Sequence, residues 1–400
     1  MEINHFKINH LFFLIFLVFI SYFREPIFFD YPRIWAEEGL YYQSFIDNDL
    51  LNFFITPHLG YYSLINNFIV FIGKFFPINY LAHVFTYSSY IFTLIILVSP
   101  FIIKSMIWQD NLLKFLLSYF ILTMGPSYVW LNFISLQFTF AIFITLLFFK
   151  SDNQSDFGIK WTYFVFSIGC LTGVISLIFA FLFFVYSYKS ISKDKLIFNL
   201  FLIFLFCLFI QTSSLLYCIF VGDTYSHLVF SNITNLLDGF NNTLFFLVNP
   251  KYLQADAKFL NLIFKLIFII YFTILFLKCD LKIRKLILIF LASSIIITFL
   301  SIDMKSGPRY AYPISFLLIL IIFRNIYFKK YQTFSYVMLC IVMIKSFDFY
   351  FFDKSYYDLH WKTFNQEVNS FLNCDKDFIE IFPQTTNKIW KIEPLREQQC

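Results

Sequence analysis

Long runs of apolar residues constrain this chain more than any other feature. The runs are roughly 12 to 26 residues long, and the longer ones can cross a hydrocarbon core about 30 Å thick. Apolar residues make up 59% of the chain and charged residues 14%, whereas soluble proteins have about 45–50% and about 25%. A water-soluble fold is therefore excluded. A transmembrane β-barrel is excluded as well, because its strands alternate apolar and polar residues. We predict an all-α polytopic membrane protein.

The apolar runs predict about eleven transmembrane helices. The first run, 10–23, follows Lys7 and lacks a small-residue cleavage site, which indicates a retained helix rather than a removed signal peptide. Two later runs meet at Leu171-Thr172-Gly173 and could instead form one long helix. The spans after the first are predicted at 78–103, 113–124, 129–149, 161–172, 174–187, 196–220, 258–277, 286–302, 311–328 and 334–351.

Lysine and arginine residues are distributed unevenly between the connections, and this bias predicts the orientation in the membrane. With a cytoplasmic N-terminus, the short outer connections 125–128 and 303–310 contain only Lys305 and Arg309. An odd number of spans then places the C-terminus outside the cytoplasm. The cytoplasmic side receives Lys7, Lys104, Lys114, Lys150, Lys160, Lys189, Lys193, Lys195, Lys278, Lys282, Arg284, Lys285, Lys329 and Lys330.

This topology divides the chain into two predicted parts. A transmembrane domain covers 1–351 and includes a long first outer loop at 24–77. Within that loop, 61–77 is typical of an amphipathic or re-entrant helix. The second part, 352–400, is expected to be a small extracytoplasmic tail.

The tail has features of its own. It includes a short β-like stretch at 378–382 and contains only two cysteines, Cys374 and Cys400. An oxidising compartment would permit a disulfide between them, and the alternative is two unpaired thiols.

Ionisable residues are almost absent from the middles of the predicted helices. A proton- or ion-coupled transporter normally places carboxylates or cations near the middle of the bilayer. Their scarcity argues against transport, and the polar chemistry is expected at the outer ends of the helices. Runs without any Asp, Glu, Lys or Arg are 11–23, 129–149, 161–187, 196–220 and 286–302.

The first outer cluster lies shortly after the first helix. It contains Trp35, Glu37 and Glu38 among other aromatic residues. A carboxylate beside aromatic side chains at a membrane surface can act as a general base, because partial desolvation raises its pKa. Aromatic faces can also stack on sugar rings. The alternative is that both carboxylates are ordinary solvated loop residues.

The second outer cluster spans 303–310 and contains Lys305 and Arg309. Arginine can hold a phosphate through two parallel hydrogen bonds, and lysine adds a point charge. The alternative is that these cations only anchor the helix ends at lipid headgroups. Between the clusters, His58 could bind substrate or a metal, although packing or loop capping explains a single histidine equally well.

Three short motifs together resemble bacterial membrane glycosyltransferases of the GT-C type, such as the serotype-converting glucosyltransferases that decorate O-antigen. The resemblance also extends to the number of helices, the long first outer loop and the extracytoplasmic tail. Relatives often have Glu-Asp-Gly in the first motif, whereas this chain has Glu-Glu-Gly, which leaves the catalytic carboxylate open between Glu37 and Glu38. The motifs read Trp35-Ala36-Glu37-Glu38-Gly39, Gly60-Tyr61 and Gly307-Pro308-Arg309-Tyr310-Ala311-Tyr312-Pro313.

The resemblance implies a function. The donor would be a sugar linked to polyprenyl phosphate, and the acceptor a surface polysaccharide such as the O-antigen of lipopolysaccharide, at the outer face of the bacterial inner membrane. Glu37 or Glu38 would be the base, while Arg309, assisted by Lys305, would stabilise the leaving phosphate. No cofactor and no nucleic-acid partner is predicted, and metal dependence stays open. Further substrate contacts are expected from Trp35, His58, Tyr61 and Tyr310.

Two other functions stay open at this point. An O-antigen polymerase or ligase generally has a large outer loop late in the chain, whereas the late outer connections here are short. A non-enzymatic translocator of lipid-linked sugars would need a charged cavity at mid-depth, for which the sequence provides no residues.

Overall fold

A computed structural model of the protein describes residues 8–47, 49–55, 57, 60–125, 129, 131–221, 233–248, 257–301, 308–329, 331–352, 362–381 and 391–393. These residues are almost entirely helical, which confirms the all-α fold class. The helices are α1 Ile8–Arg24, α2 Pro26–Asp30, α3 Ala36–Asp47, α4 Leu50–Ile55, α5 Leu64–Gly73, α6 Leu81–Ile102, α7 Asn111–Thr123, α8 Leu136–Leu147, α9 Asp156–Thr172, α10 Val174–Ser187, α11 Lys195–Val221, α12 Ile233–Leu244, α13 Ala257–Lys278, α14 Leu281–Leu300, α15 Pro308–Tyr327, α16 Gln332–Phe352 and α17 Phe364–Leu372. Short 3₁₀ turns lie at Ile78–Tyr80, Phe133–Ser135, Tyr188–Ser190 and Phe246–Val248, and two short strands are β1 Ile379–Glu380 and β2 Lys391–Ile392.

Five helices in the described part of the chain are long and apolar enough to cross a membrane. This supports a membrane protein, while the total of eleven spans stays a prediction. Shorter apolar helices also coincide with predicted runs. The five long segments are Ile78–Ile102, Lys195–Phe220, Phe259–Lys278, Leu281–Leu300 and Arg309–Tyr327.

Some helices begin earlier than their apolar runs. The run at 286–302 belongs to α14, which begins at Leu281 because the Asp280 side chain accepts a hydrogen bond from Ile283 N at 2.9 Å. In the same way, Ser155 caps α9 ahead of the run at 161–172. An apolar run marks the part of a helix that lies in an apolar environment, whereas the N-cap side chain determines the residue at which the helix begins.

Helices α9 and α10 form an antiparallel hairpin that turns at Gly173, so the two runs are not one long helix. Gly173, at the end of α9, lies against Gln137 at the start of α8, and Gly169, one turn earlier in α9, lies against Phe140, about one turn later in α8. Helices α8 and α9 are therefore antiparallel. Helices α8 and α10 run in the same direction. Their contacts are Ser176 Oγ with Gln137 O at 2.7 Å and Phe183 with Phe148 at 5.5 Å between ring centroids.

The two ends of this bundle differ in charge. At one end, Lys150 Nζ lies 3.0 Å from Asp194, and Arg324 lies 3.5 Å from Asp280. Most of the lysines assigned to the cytoplasm belong to the connections at this end. Helix α15 carries Arg324 in its last turn and Arg309 in its first turn, so Arg309 lies at the opposite end.

Arg24 is fully buried at the end of α1, although sequence reasoning assigned it only to the outer loop. Its guanidinium donates hydrogen bonds to Leu122 O and, at 2.7 Å, to Gly125 O. These carbonyls lie at the C-terminal end of α7, where a cation also interacts favourably with the helix dipole. Arg24 therefore holds α1 against α7 and donates hydrogen bonds to carbonyls that have no donor within the helix.

The C-terminal segment packs on α3. Strands β1 and β2 pair antiparallel, with Ile379 opposite Ile392, and both side chains are buried. Gln43 of α3 accepts a hydrogen bond from Glu393 N at 2.7 Å. Cys374 is disulfide-bonded, and its predicted partner, Cys400, lies outside the described residues.

Gly39 provides the close contact between α3 and this segment. A Cβ atom at Gly39 would collide with Ile381 Cδ1 and lie 3.6 Å from Ile392 Cγ1. The glycine of the Trp-Ala-Glu-Glu-Gly motif therefore has a packing reason that the sequence did not reveal.

Gly39→Ala should destabilise the protein by about 1 kcal/mol, at the low end of the usual cost of overpacking, because only the terminal Cδ1 of Ile381 has to move. Without that collision, alanine in place of glycine would stabilise the helix by about 1 kcal/mol. Overpacking and helix propensity therefore predict changes in stability of opposite sign. The thermal midpoint of detergent-solubilised protein, compared with that of the wild type, measures the effect. A midpoint that rises in Gly39→Ala would contradict this account of the packing.

Candidate functional site

Glu37 and Glu38 both lie in the first turn of α3, at the end of the helix where a negative charge interacts favourably with the helix dipole. Their surroundings differ sharply. Glu38 is buried, and its Oε2 and Oε1 accept hydrogen bonds from Trp35 N and Phe133 N, each at 2.9 Å. The bond from Trp35 N caps α3, and the bond from Phe133 N fastens the helix to the turn before α8. Glu38 thus has a structural role: it fixes α3 relative to the turn before α8.

Two effects oppose each other at Glu38. Burial raises the pKa of its carboxyl to about 8, although both backbone N–H donors favour the ionised form and lower it. The nearby charge of Glu37 raises the pKa further. Burial is the larger effect, so this carboxyl titrates near neutral pH.

Glu37, one residue earlier, faces the first turn of α15. Its Oε2 lies 3.7 Å from Arg309 Nη1, and 31% of the Glu37 side chain and 22% of the Arg309 side chain are exposed. Successive helical residues differ in direction by about 100°, so one carboxylate can be buried while the next one faces outward. The two polar clusters of the sequence therefore meet through Glu37 and Arg309.

Tyr310 adds an aromatic wall beside this ion pair. The Arg309 guanidinium carbon lies 5.2 Å from the Tyr310 ring centroid, a cation–π arrangement. Tyr310 in turn packs edge-to-face on Phe138 of α8, with the ring centroids 5.1 Å apart. Helix α8 thus supports the side of the site formed by α15.

Tyr61 interacts electrostatically with both members of the ion pair, and the two residues that follow it are held by hydrogen bonds. The Tyr62 backbone exchanges two hydrogen bonds with the Gln211 side chain, at 3.1 and 2.9 Å, and Ser63 Oγ donates to Thr172 O at 2.9 Å. Burial raises the pKa of Tyr61, and the negative charge of Glu37 raises it further. Tyr61 therefore stays protonated beside Glu37.

The Tyr61 hydroxyl belongs to a larger polar group. Gln137 Nε2 donates a hydrogen bond to it at 3.2 Å, and the buried Tyr41 hydroxyl interacts with it electrostatically. Tyr41 is fully buried and also interacts with the buried Asn66 of α5. Four polar side chains from separate helices and loops, those of Tyr61, Gln137, Tyr41 and Asn66, thus lie close to one another near the ion pair.

The other predicted site residues are placed as follows. The Trp35 ring is buried against Phe28, with ring centroids 5.9 Å apart, so its expected stacking on a sugar stays a prediction. His58 and Lys305 lie outside the described residues.

Sequence reasoning missed Gln137 and Asn66, and it counted Tyr41 among the aromatic residues of the first outer cluster without giving it a role. The available signal was a polar residue within an apolar run: Gln137 lies in the predicted span 129–149, and Asn66 in the predicted interfacial helix 61–77. Their importance depends on which way they face, which the apolar pattern does not specify.

Lys345 and Asp348 form a buried ion pair near the end of α16, with Lys345 Nζ 3.7 Å from Asp348 Oδ2. Lys345 Nζ also lies 5.4 Å from the ring centroid of Phe246. Both residues lie towards the outer end of the predicted span 334–351, and the apolar pattern does not show that they pair.

Across the described ranges, no group of three or more His, Cys, Asp or Glu residues is arranged to hold a metal ion. No family model, curated protein or solved structure matches this chain.

Glu38→Gln should lower stability by about 1–3 kcal/mol, because glutamine has one acceptor oxygen for two buried N–H donors. Glu37→Gln is the matched control, since its side chain is partly exposed and its pairing with Arg309 contributes little to stability. Thermal midpoints of both variants in detergent measure the difference. Equal midpoints would contradict the structural position of Glu38.

The stability of the protein should also depend on pH through Glu38. A carboxyl whose folded pKa is about 8, above the unfolded value of 4.5, binds a proton more tightly in the folded state. Its contribution is therefore fully present below about pH 4.5 and is lost as the pH rises through about 8. Thermal midpoints over this range should fall with rising pH in the wild type, and the fall should be reduced in Glu38→Gln. A wild-type profile unchanged by the substitution would refute the assignment.

Proposed function

We propose that this protein is a membrane glycosyltransferase that moves a sugar from a polyprenyl-phosphate-linked donor to a surface polysaccharide resembling O-antigen. The observation that carries the proposal is the approach of Glu37 and Arg309 to 3.7 Å at one end of an apolar helical bundle. A lipid-phosphate donor keeps its chain in the bilayer and presents an anionic head at the rim. A carboxylate and a guanidinium at that rim are the two groups that such a transfer needs.

In the proposed step, Glu37 accepts the proton of the acceptor hydroxyl. The acceptor oxygen forms a bond to the anomeric carbon, and the bond between that carbon and the phosphate oxygen breaks. The electron pair of the broken bond leaves with the polyprenyl phosphate. Arg309 stabilises the negative charge that develops on this phosphate, because a fixed guanidinium in a partly dry site interacts strongly with it.

The ion pair also suggests an order of binding. Without donor, Arg309 and Glu37 neutralise each other, and both remain partly accessible. A donor phosphate offers Arg309 a bidentate partner and so competes with the carboxylate. Glu37 would then be released as a base only when the donor is in place.

Glu37 is the proposed base rather than Glu38. Both oxygens of Glu38 accept backbone hydrogen bonds, and its side chain is buried. Glu37 is partly exposed and lies beside the proposed phosphate ligand. The residue that differs between Glu-Glu-Gly and Glu-Asp-Gly, and that carries the extra methylene, is therefore Glu38, which anchors α3.

The proposed location is the bacterial inner membrane, with the site at the extracytoplasmic face and the N-terminus in the cytoplasm. Support comes from the charge of the two bundle ends, since lysines gather around Lys150 and Arg324, opposite the site. The positive-inside rule assigns that end to the cytoplasm.

Expression in a bacterial strain with a defined O-antigen tests the proposal, and glycan composition is the readout. Glu37→Gln should reduce the added sugar about 100-fold or more, because it removes the base. Arg309→Ala should reduce it roughly 100- to 1,000-fold, and Arg309→Lys should retain part of it. Membrane insertion of each variant is checked by immunoblot of the membrane fraction.

Arg324→Ala is the matched control, because Arg324 forms a similar ion pair at the opposite end of the same helix. It should keep the transfer activity. Full activity in Glu37→Gln would exclude this residue as the base, and an unmodified glycan with the wild-type protein would reject the glycosyltransferase.

A further inference from the structure

A cavity of about 650 Å³ lies at the end of the bundle opposite Glu37 and Arg309, and the proposed transfer does not use it. Its lining comes mainly from two connections, the one from α6 to α7 and the one from α8 to α9. Lys150, which pairs with Asp194 at this end of the bundle, directly precedes Ser151 of the lining. The cavity is therefore separate from the candidate site.

The two connections are joined through the backbone of Lys104. Its N–H donates a hydrogen bond to Gln154 Oε1 at 2.9 Å, and its carbonyl oxygen accepts from Gln154 Nε2 at 2.7 Å and from Ser151 N at 2.9 Å. Because both backbone polar groups of Lys104 are bonded, the residue is held at the wall of the cavity while its side chain stays exposed. The wall thus has a fixed shape of its own.

The buried residues of the lining are fixed as well. Ser105 Oγ donates to Phe149 O at 2.6 Å, which joins the two connections a second time. The Trp108 side chain is buried, and its Nε1 donates to Ile103 O at 3.0 Å. A cavity that is formed in advance loses little conformational freedom when it binds a ligand.

The lining carries an excess of positive charge. Its charged side chains are those of Lys104, Lys114 and Asp152, so two ammonium groups stand against one carboxylate. An ammonium group only donates hydrogen bonds, and the carboxamides of Gln109 and Asn153 provide further donors. A ligand with several negatively charged acceptor oxygens, such as a phosphate, satisfies this lining best.

Apolar side chains around the cavity indicate that such a phosphate belongs to a lipid. Met106 lines the cavity with an exposed side chain. Leu112 and Phe157 are also exposed, in the first turns of α7 and α9, which begin where the two connections end. Exposed apolar side chains beside lysines are typical of the level at which acyl chains meet headgroups. A basic pocket at this end of a membrane protein suits an anionic headgroup.

We propose that this cavity binds the phosphate headgroup of an anionic phospholipid, with Lys104 and Lys114 as the cations that hold it. Phosphatidylglycerol has this chemistry, because it carries a single negative charge and headgroup hydroxyls that can donate to Asp152. The predicted orientation places the site in the cytoplasmic leaflet. Binding at this cavity does not depend on which reaction the candidate site performs.

Native mass spectrometry of the full-length protein in detergent, titrated with dioleoylphosphatidylglycerol, measures the binding. Lys104→Gln combined with Lys114→Gln should lower the affinity roughly 30-fold, because each lysine near an anionic headgroup contributes a factor of about 5. The matched control is Lys193→Gln combined with Lys282→Gln, which removes the same charge from exposed lysines outside the lining. The control should bind the lipid like the wild type.

Asp152→Asn should change the affinity in the opposite direction. Asparagine keeps an acceptor oxygen and removes the negative charge from the lining, so phosphatidylglycerol should bind about 5-fold more tightly. A damaged fold would not produce this gain. An unchanged or weaker affinity in Asp152→Asn would contradict the electrostatic account of the cavity.

Two further ligands identify the source of the phosphate. Inorganic phosphate and phosphatidylcholine, whose headgroup is neutral overall, should both bind the wild type more weakly than phosphatidylglycerol. Inorganic phosphate that binds as tightly as the lipid, and through the same two lysines, would overturn the lipid assignment. Equal phosphatidylglycerol affinities in the cavity variant and in the matched control would overturn the site itself.

Discussion

The site depends on one buried carboxylate, that of Glu38. Its two oxygens accept the N–H groups of Trp35 and Phe133, so the first turn of α3 and the turn before α8 hold a single relative position. Each of these N–H groups would otherwise be a donor near the protein interior with no partner, which is costly. Glu37 follows from this constraint, because the rotation of about 100° per residue turns its carboxylate towards Arg309.

Around this anchor, the fully buried polar groups and the partly exposed ones bond to different kinds of partner. Arg24, Glu38 and Gln137 are buried and bond to backbone groups, which fixes helix ends and turns. Glu37 and Arg309 are partly exposed and bond to each other. Because water reaches this pair, the pair contributes little to stability.

The C-terminal segment contributes through packing on the far side of α3. Ile381 and Ile392 contact Gly39, and Gln43 bonds to Glu393, so the helix that carries Glu37 is supported from both faces. A loop bearing the same carboxylate would lose orientational entropy each time a substrate bound. Holding the carboxylate on a clamped helix removes most of that cost.

The sequence by itself determined the fold class, most helix positions and the two polar clusters. The hydrophobic effect acts on composition and periodicity, and these can be read locally from runs such as 196–220 and from isolated charges such as Arg309. Tertiary structure alone decided which glutamate faces Arg309, that Arg24 closes the end of α7, and that Gly173 makes room for Gln137. These features are set by the direction of a side chain relative to segments distant in sequence. Direction depends on helix packing and on hydrogen bonds to backbone groups, and neither leaves a local signal in the order of residues.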